Sequence, residues 1–66
     1  MDNFTLKVWA CEKTRSTLFR FELLDREPGN RRYWGARITW RALEDDRPYL
    51  INRMFDQFEH DTGIRV

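Results

Sequence analysis

The chain has 66 residues, which is enough for one small domain and leaves no room for a second. Hydrophobic residues make up 41% of it and aromatic residues 15%, a composition too apolar for an intrinsically disordered segment. The formal net charge of +1 argues against a dedicated DNA-binding domain, because such domains usually carry a clear basic excess.

The sequence lacks the signals of secretion and of membrane insertion. Cys11 is the single cysteine, so no internal disulfide can form. No apolar run approaches the roughly 18 residues of a transmembrane helix, and the residues after Met1 do not resemble a signal peptide. We therefore expect a cytoplasmic, free-standing gene product in a reducing compartment.

Three stretches in which apolar and polar residues alternate predict three β-strands, at about 4–11, 17–24 and 32–42. A period of two residues is that of a strand with one buried face. The polar stretch 12–16 suits a hairpin connection. The segment 26–30, which contains Pro-Gly-Asn, predicts a turn between the second and third strands.

A helix is predicted after the third strand. The segment 44–48 opens it, with Asp45 or Asp46 as the cap and Pro48 in the first turn. Gly63 is the expected C-cap. Apolar residues recur with the period of a helix at Leu50, Ile51, Met54, Phe55 and Phe58.

These elements predict an α+β fold, in which a three-stranded antiparallel sheet (β-β-β-α order) carries one C-terminal amphipathic helix on one face. Residues 64–66 either trail away or add a short fourth strand. Gly35 inside the third strand indicates a bulge or a close approach of another group. The side chains expected on the helix side are Phe4, Leu6, Val8, Phe19, Phe21, Leu23, Trp34, Ile38 and Trp40.

The same alternation predicts a basic and aromatic surface on the sheet face away from the helix. Thr5, Leu18, Glu22 and Thr39 belong to that face. Cross-strand packing alone is one interpretation, because arginine stems cover aromatic rings and Glu22 can pair with a cation. The other interpretation is a binding surface, whose expected partner-binding residues are Lys7, Trp9, Arg20, Tyr33, Arg37 and Arg41.

Formal charge is distributed unevenly along the chain. Residues 1–43 carry nine Lys/Arg and five Asp/Glu, which gives +4, whereas 44–66 carry three Arg and six Asp/Glu, which gives −3. This asymmetry either orients a partner or reflects attraction between the rims of sheet and helix.

Catalysis is not expected, and neither a cofactor nor a metal is predicted. His60 and Asp56 are too few for a metal set. Cys11 has Glu12 and Lys13 beside it, and neither a helix N-terminus nor a histidine is predicted nearby. Glycines at 29, 35 and 63 cannot form a phosphate-binding loop. A nuclease-like toxin based on Arg and Tyr is the one enzymatic alternative.

The leading hypothesis is a small non-enzymatic regulator or inhibitor that binds a larger protein through the sheet face, a strand edge or the acidic helix. Small size suits a phage or mobile-element accessory protein. The first alternative is a nucleic-acid-binding module that uses the basic and aromatic sheet face. The second is a homodimer formed through an unprotected edge strand.

Overall fold

The predicted sheet and helix are both present in the computed structural model, which describes residues 4–24 and 32–66. The sheet is antiparallel with strand order β1-β2-β3, and the helix packs on one face of it. The predicted α+β architecture is therefore confirmed, whereas the predicted turn at 26–30 lies outside the described residues. The elements are β1 (Phe4–Cys11), β2 (Ser16–Leu23), β3 (Arg32–Thr39) and α1 (Trp40–Thr62).

The pairing of the strands is continuous. Every residue of β1 has a direct partner in β2, and every residue of β3 has one as well. Gly35 lies opposite Arg20 in this unbroken ladder, so the predicted bulge is wrong. A Cβ atom on Gly35 would lie 3.5 Å from the Phe19 carbonyl oxygen, which is ordinary contact, so no close approach explains the glycine either.

The hairpin between β1 and β2 is joined to the start of α1. Its turn is closed by a hydrogen bond of 3.2 Å from the Arg15 amide to the Glu12 carbonyl, with Arg15 at φ 49°. The Trp40 amide then donates to the Arg15 carbonyl at 2.9 Å. Ser16, which is fully buried, places its Oγ 2.5 Å from Thr14 Oγ1. These bonds hold the turn against the first residue of the helix.

The helix begins earlier than predicted. Thr39 has extended backbone angles, and its hydroxyl accepts a hydrogen bond of 3.2 Å from the Ala42 amide, which makes Thr39 the N-cap. Residues 40–42 are therefore helical, and the prediction that the third strand includes them is wrong. The second strand also starts and ends one residue before its predicted limits.

α1 has a kink at its acidic segment 44–46. Asp46 has φ −158° and ψ 68°, which are not helical angles. Pro48 follows two residues later, where its missing N–H and its ring disfavour a continuous helix. The predicted start at 44–48 therefore corresponds to this kink. The prediction that Asp45 or Asp46 caps the start of the helix is wrong, because Thr39 does so.

The end of α1 agrees with the prediction. Gly63 has φ 75° and ψ 4°, and its amide donates to the Glu59 carbonyl at 2.8 Å, as expected of a left-handed C-cap. Residues 64–66 form no strand. Instead Ile64 packs against the core, and the Val66 amide donates to Glu59 Oε1 at 2.8 Å.

The core is centred on Phe21 of β2 and Phe58 of α1. Both side chains are fully buried, and their rings stack with centroids 4.2 Å apart. Val8, predicted to be in the core, is 52% exposed, whereas Phe4 of the same strand packs against Phe58 of α1 with ring centroids 5.1 Å apart. Trp40, also predicted there, belongs to the helix. The buried hydrophobic residues are Phe19, Phe21, Leu23, Met54 and Phe58.

Candidate functional site

The sheet surface away from α1 is built by alternate residues of the three strands. The observed register sets them in rows that cross the sheet: Thr5, Glu22 and Tyr33 in one row, then Lys7, Arg20 and Gly35, then Trp9, Leu18 and Arg37. Side chains in one row share a face because residues directly opposite one another point the same way. We call this surface the open face and define it by the residues Thr5, Lys7, Trp9, Leu18, Arg20, Glu22, Tyr33, Gly35 and Arg37.

Two cations of the open face already have partners within it. Lys7 lies directly opposite Arg20, a pairing of like charges that is unfavourable by itself. Glu22 offsets it, because its Oε1 lies 3.1 Å from Lys7 Nζ. The Arg20 guanidinium lies 4.3 Å from the centre of the Tyr33 ring, within the range of a cation–π contact. In this part of the face Lys7 and Glu22 therefore neutralise each other, whereas Arg20 keeps its charge and is stacked on Tyr33.

The open face also contains a shallow depression of about 480 Å³. Trp9 and Leu18 provide apolar walls, and Arg20 and Arg37 stand beside them. Gly35 contributes no side chain, so the backbone of β3 is accessible at that point. The Trp9 side chain is 43% exposed, so its indole is accessible to a partner at this point. We call this feature the central depression.

Arg41 does not belong to the open face, contrary to the prediction. It lies in the first turn of α1, where it lines a separate surface depression with Arg15 of the hairpin turn and Glu44. The other predicted partner-binding residues (Lys7, Trp9, Arg20, Tyr33 and Arg37) all lie on the open face.

At one end of the open face, Cys11 has a perturbed thiol. Its pKa is lowered from the ordinary value, chiefly by hydrogen bonds from the Thr14 side chain and backbone, with a small contribution from the positive charge of Arg37. No helix N-terminus or histidine contributes. The thiolate is therefore favoured by local hydrogen bonds of the hairpin turn.

The titratable groups of α1 are arranged separately. His60 and Asp56 are both exposed, and among the described residues no three His, Cys, Asp or Glu side chains are grouped as potential metal ligands. The pKa of Asp61 is lowered, first by a hydrogen bond of 2.9 Å from Trp34 Nε1 and then by one of 2.8 Å from Gln57 Nε2. The bond from Trp34 joins the end of α1 to β3.

Two residues of the central depression were not among the predicted partner-binding residues. The sequence places Leu18 on the correct face without a binding role, and it indicates a bulge or a close approach at Gly35. A usable signal was present for Gly35: its position in the alternation puts it on the open face, between Tyr33 and Arg37. A glycine there removes a side chain from the surface and leaves a gap.

Comparisons with protein-family models, with curated proteins and with solved structures find no match to this chain. Over residues 4–24 and 32–66, no helix combines the length and the apolar character needed to cross a membrane. What the chain binds must therefore be inferred from the chemistry of the open face.

Proposed function

We propose that this chain is a small non-enzymatic protein-binding regulator or inhibitor, which binds a larger protein partner through its open face. The observation that carries the proposal is the central depression. There the exposed indole of Trp9 and the side chain of Leu18 lie beside the guanidinium of Arg37. Tryptophan and arginine beside an apolar hollow are the residue types that most often dominate protein–protein binding energy.

The chemistry of the depression specifies the segment it would bind. An aromatic or aliphatic side chain of the partner fits between Trp9 and Leu18, where contact removes apolar surface from water. A neighbouring carboxylate of the partner would pair with Arg37, whose planar guanidinium suits bidentate contact. The expected partner segment therefore carries an apolar residue next to Asp or Glu.

The alternative, binding of nucleic acid, has weaker support from the geometry. Phosphate binding needs several cations that are free to replace counterions. On the open face, however, Lys7 is paired with Glu22, and Arg20 is stacked on Tyr33. Arg41, the fourth cation expected to contribute, lies on the helix.

Selection from a random peptide library displayed on phage tests the proposal without knowledge of the natural partner. The full chain serves as bait, and we expect enrichment of peptides with an apolar residue beside Asp or Glu. Replacing Arg37 by Glu should weaken binding of those peptides at least about tenfold, because attraction becomes repulsion. Leu18→Ser should weaken it as well, since it removes an apolar wall.

Arg65→Glu is the matched control, because it makes the same charge change at an exposed residue outside the open face. Equal loss of peptide binding in Arg37→Glu and Arg65→Glu would contradict the proposal, as would selection of no common peptide pattern. A mobility-shift assay with single-stranded and duplex DNA at about 50 mM salt tests the alternative. Binding of DNA that Arg37→Glu abolishes would replace the proposed function with nucleic-acid recognition.

A further inference from the structure

The outer edge of β1 is unpaired within the part of the chain that the structure describes. The order β1-β2-β3 leaves β1 at one side of the sheet, and its ladder with β2 has no bulge. Proteins usually protect such an edge with several charges, a proline or a bulge. From Phe4 to Cys11 the strand carries one charge, Lys7, and no proline. The edge is therefore poorly protected against pairing with another strand.

Exposed apolar side chains flank this edge on both faces of the sheet. Val8 is exposed on the helix side of the sheet, and Trp9 is exposed on the open face. The two residues are adjacent in the middle of the strand. A strand added at this edge would cover part of both side chains at once, in addition to satisfying the free backbone groups.

The sequence of β1 is suited to pairing with itself. We propose that a second copy of this chain adds to the outer edge of β1 in antiparallel orientation, with the two strands centred on Val8. Each Lys7 then lies opposite Trp9 of the other copy, where the aliphatic stem of Lys7 packs on the indole while its ammonium stays paired with Glu22. The remaining direct pairs are Leu6 with Ala10 and Thr5 with Cys11.

Neighbouring registers are less favourable. A two-fold axis perpendicular to the sheet keeps each side chain on its own face. The only other registers are therefore those in which a different residue of β1, such as Lys7 or Trp9, lies opposite itself. Centring on Lys7 sets two ammonium groups against each other. Centring on Trp9 shortens the paired region and leaves Lys7 opposite Cys11. The register centred on Val8 therefore combines long pairing with charge compatibility.

β3, the other edge strand, is less accessible to a second copy. The chain continues directly from β3 into α1, and residues of the helix such as Leu50 and Arg53 line a groove together with side chains of β3. A second copy added at that edge would bring two helices together, whereas addition at β1 keeps them apart. The product at β1 is a continuous six-stranded sheet with both helices on one side.

Sedimentation equilibrium tests the proposal on the wild-type chain. The interface consists of a single strand from each copy and is therefore small. We accordingly expect a weak dimer, with a dissociation constant between about 1 μM and 1 mM. Val8→Lys should raise that constant at least about tenfold, because two added ammonium groups would face each other. A wild-type chain that is monomeric up to about 1 mM would overturn the proposal.

Val66→Lys is the matched control, since Val66 is 62% exposed and lies outside the sheet. Circular dichroism of both variants verifies that the monomer keeps its fold. If Val8→Lys and Val66→Lys dimerise equally, the edge of β1 is not the interface. Arg37→Glu should dimerise like the wild type, so failure of this proposal and failure of the proposed function give different results.

Disulfide trapping tests the register. In the pairing centred on Val8, Thr5→Cys puts a second thiol opposite Cys11 of the other copy, at the Cα separation that a disulfide bridges. Within one copy the two thiols are about 20 Å apart along the strand and cannot react. Oxidation should give a covalent dimer faster than in Val66→Cys, which reports random collisions. Equal rates would overturn the proposed register.

Discussion

Replacing Phe21 by alanine should leave a large fraction of the protein unfolded at room temperature. The Phe21 ring is fully buried and lies within aromatic contact distance of rings from β1, β3 and α1. The centroid distances are 5.4 Å to Phe4, 5.4 Å to Trp34, 5.6 Å to Phe55 and 4.2 Å to Phe58. The substitution therefore opens a cavity at the point where all the elements meet.

The magnitude follows from the size of the ring and of the domain. Deleting a buried phenylalanine ring costs about 3–5 kcal/mol, and the four ring contacts put this position at the upper end. A domain of 66 residues has a free energy of unfolding of about 3–10 kcal/mol, at roughly 0.05–0.15 kcal/mol per residue. The expected loss from Phe21→Ala is thus comparable with the total stability.

Urea denaturation followed by circular dichroism measures the effect. Phe21→Leu keeps most of the volume and should lose between about 1 and 3 kcal/mol, so it gives a measurable transition if Phe21→Ala does not fold. Tyr49→Ala removes an aromatic ring that is 54% exposed and should change stability by no more than about 0.5 kcal/mol. A loss below about 1.5 kcal/mol for Phe21→Ala would refute the assigned core.

Two further predictions concern the ends of α1. Thr39→Ala should lower the free energy of unfolding by about 0.5–2 kcal/mol because the Ala42 amide loses its cap, and Thr39→Ser should restore most of it in urea denaturation. NMR titration should show that Trp34→Phe raises the pKa of the Asp61 carboxyl towards its ordinary value, and by more than Gln57→Ala does. Since this pKa is lower in the folded state, Asp61 stabilises the fold above its unfolded-state pKa, and this contribution is lost as the pH falls through the folded-state pKa. Asp61→Asn should therefore lose less stability on acidification than the wild type.

The positions of the strands can be predicted from the local sequence pattern, but the boundary between β3 and α1 cannot. Trp40 continues the alternation of apolar and polar residues along β3, so this pattern by itself predicts that the strand extends past Thr39. The helix starts at Trp40 for two reasons. The carbonyl of Arg15, in the distant hairpin turn, accepts a hydrogen bond from the Trp40 amide, and the Thr39 hydroxyl accepts one from the Ala42 amide. The first of these bonds is tertiary and has no signature in the local sequence.

The same distinction applies to the open face. The alternation of apolar and polar residues correctly places five of the expected partner-binding residues on one surface. It fails for Arg41 because the strand ends at Thr39, so Arg41, like Trp40, belongs to the helix. Which of those residues have partners depends on register across the strands. The Lys7–Glu22 ion pair and the contact of Arg20 with Tyr33 could be found only from the sheet. The structure thus distinguishes the cations that have a partner on the open face, Lys7 and Arg20, from Arg37 beside the central depression.

The exposure of Val8 has a geometric cause in the widths of the sheet and the helix. Three strands about 4.8 Å apart form a surface roughly 14 Å wide, whereas a helix with its side chains is about 10–12 Å across. One helix therefore covers about two strands. In this chain the buried hydrophobic side chains of the sheet all belong to the central strand β2, and Phe4 of β1 and Trp34 of β3 contact Phe58 of α1 from either side. Val8, farther along β1, is left exposed. Lengthening α1 would not cover it, since the shortfall is in width. A second element beside α1 would bury Val8, and a strand added to β1 would cover part of it; the described residues contain no such element.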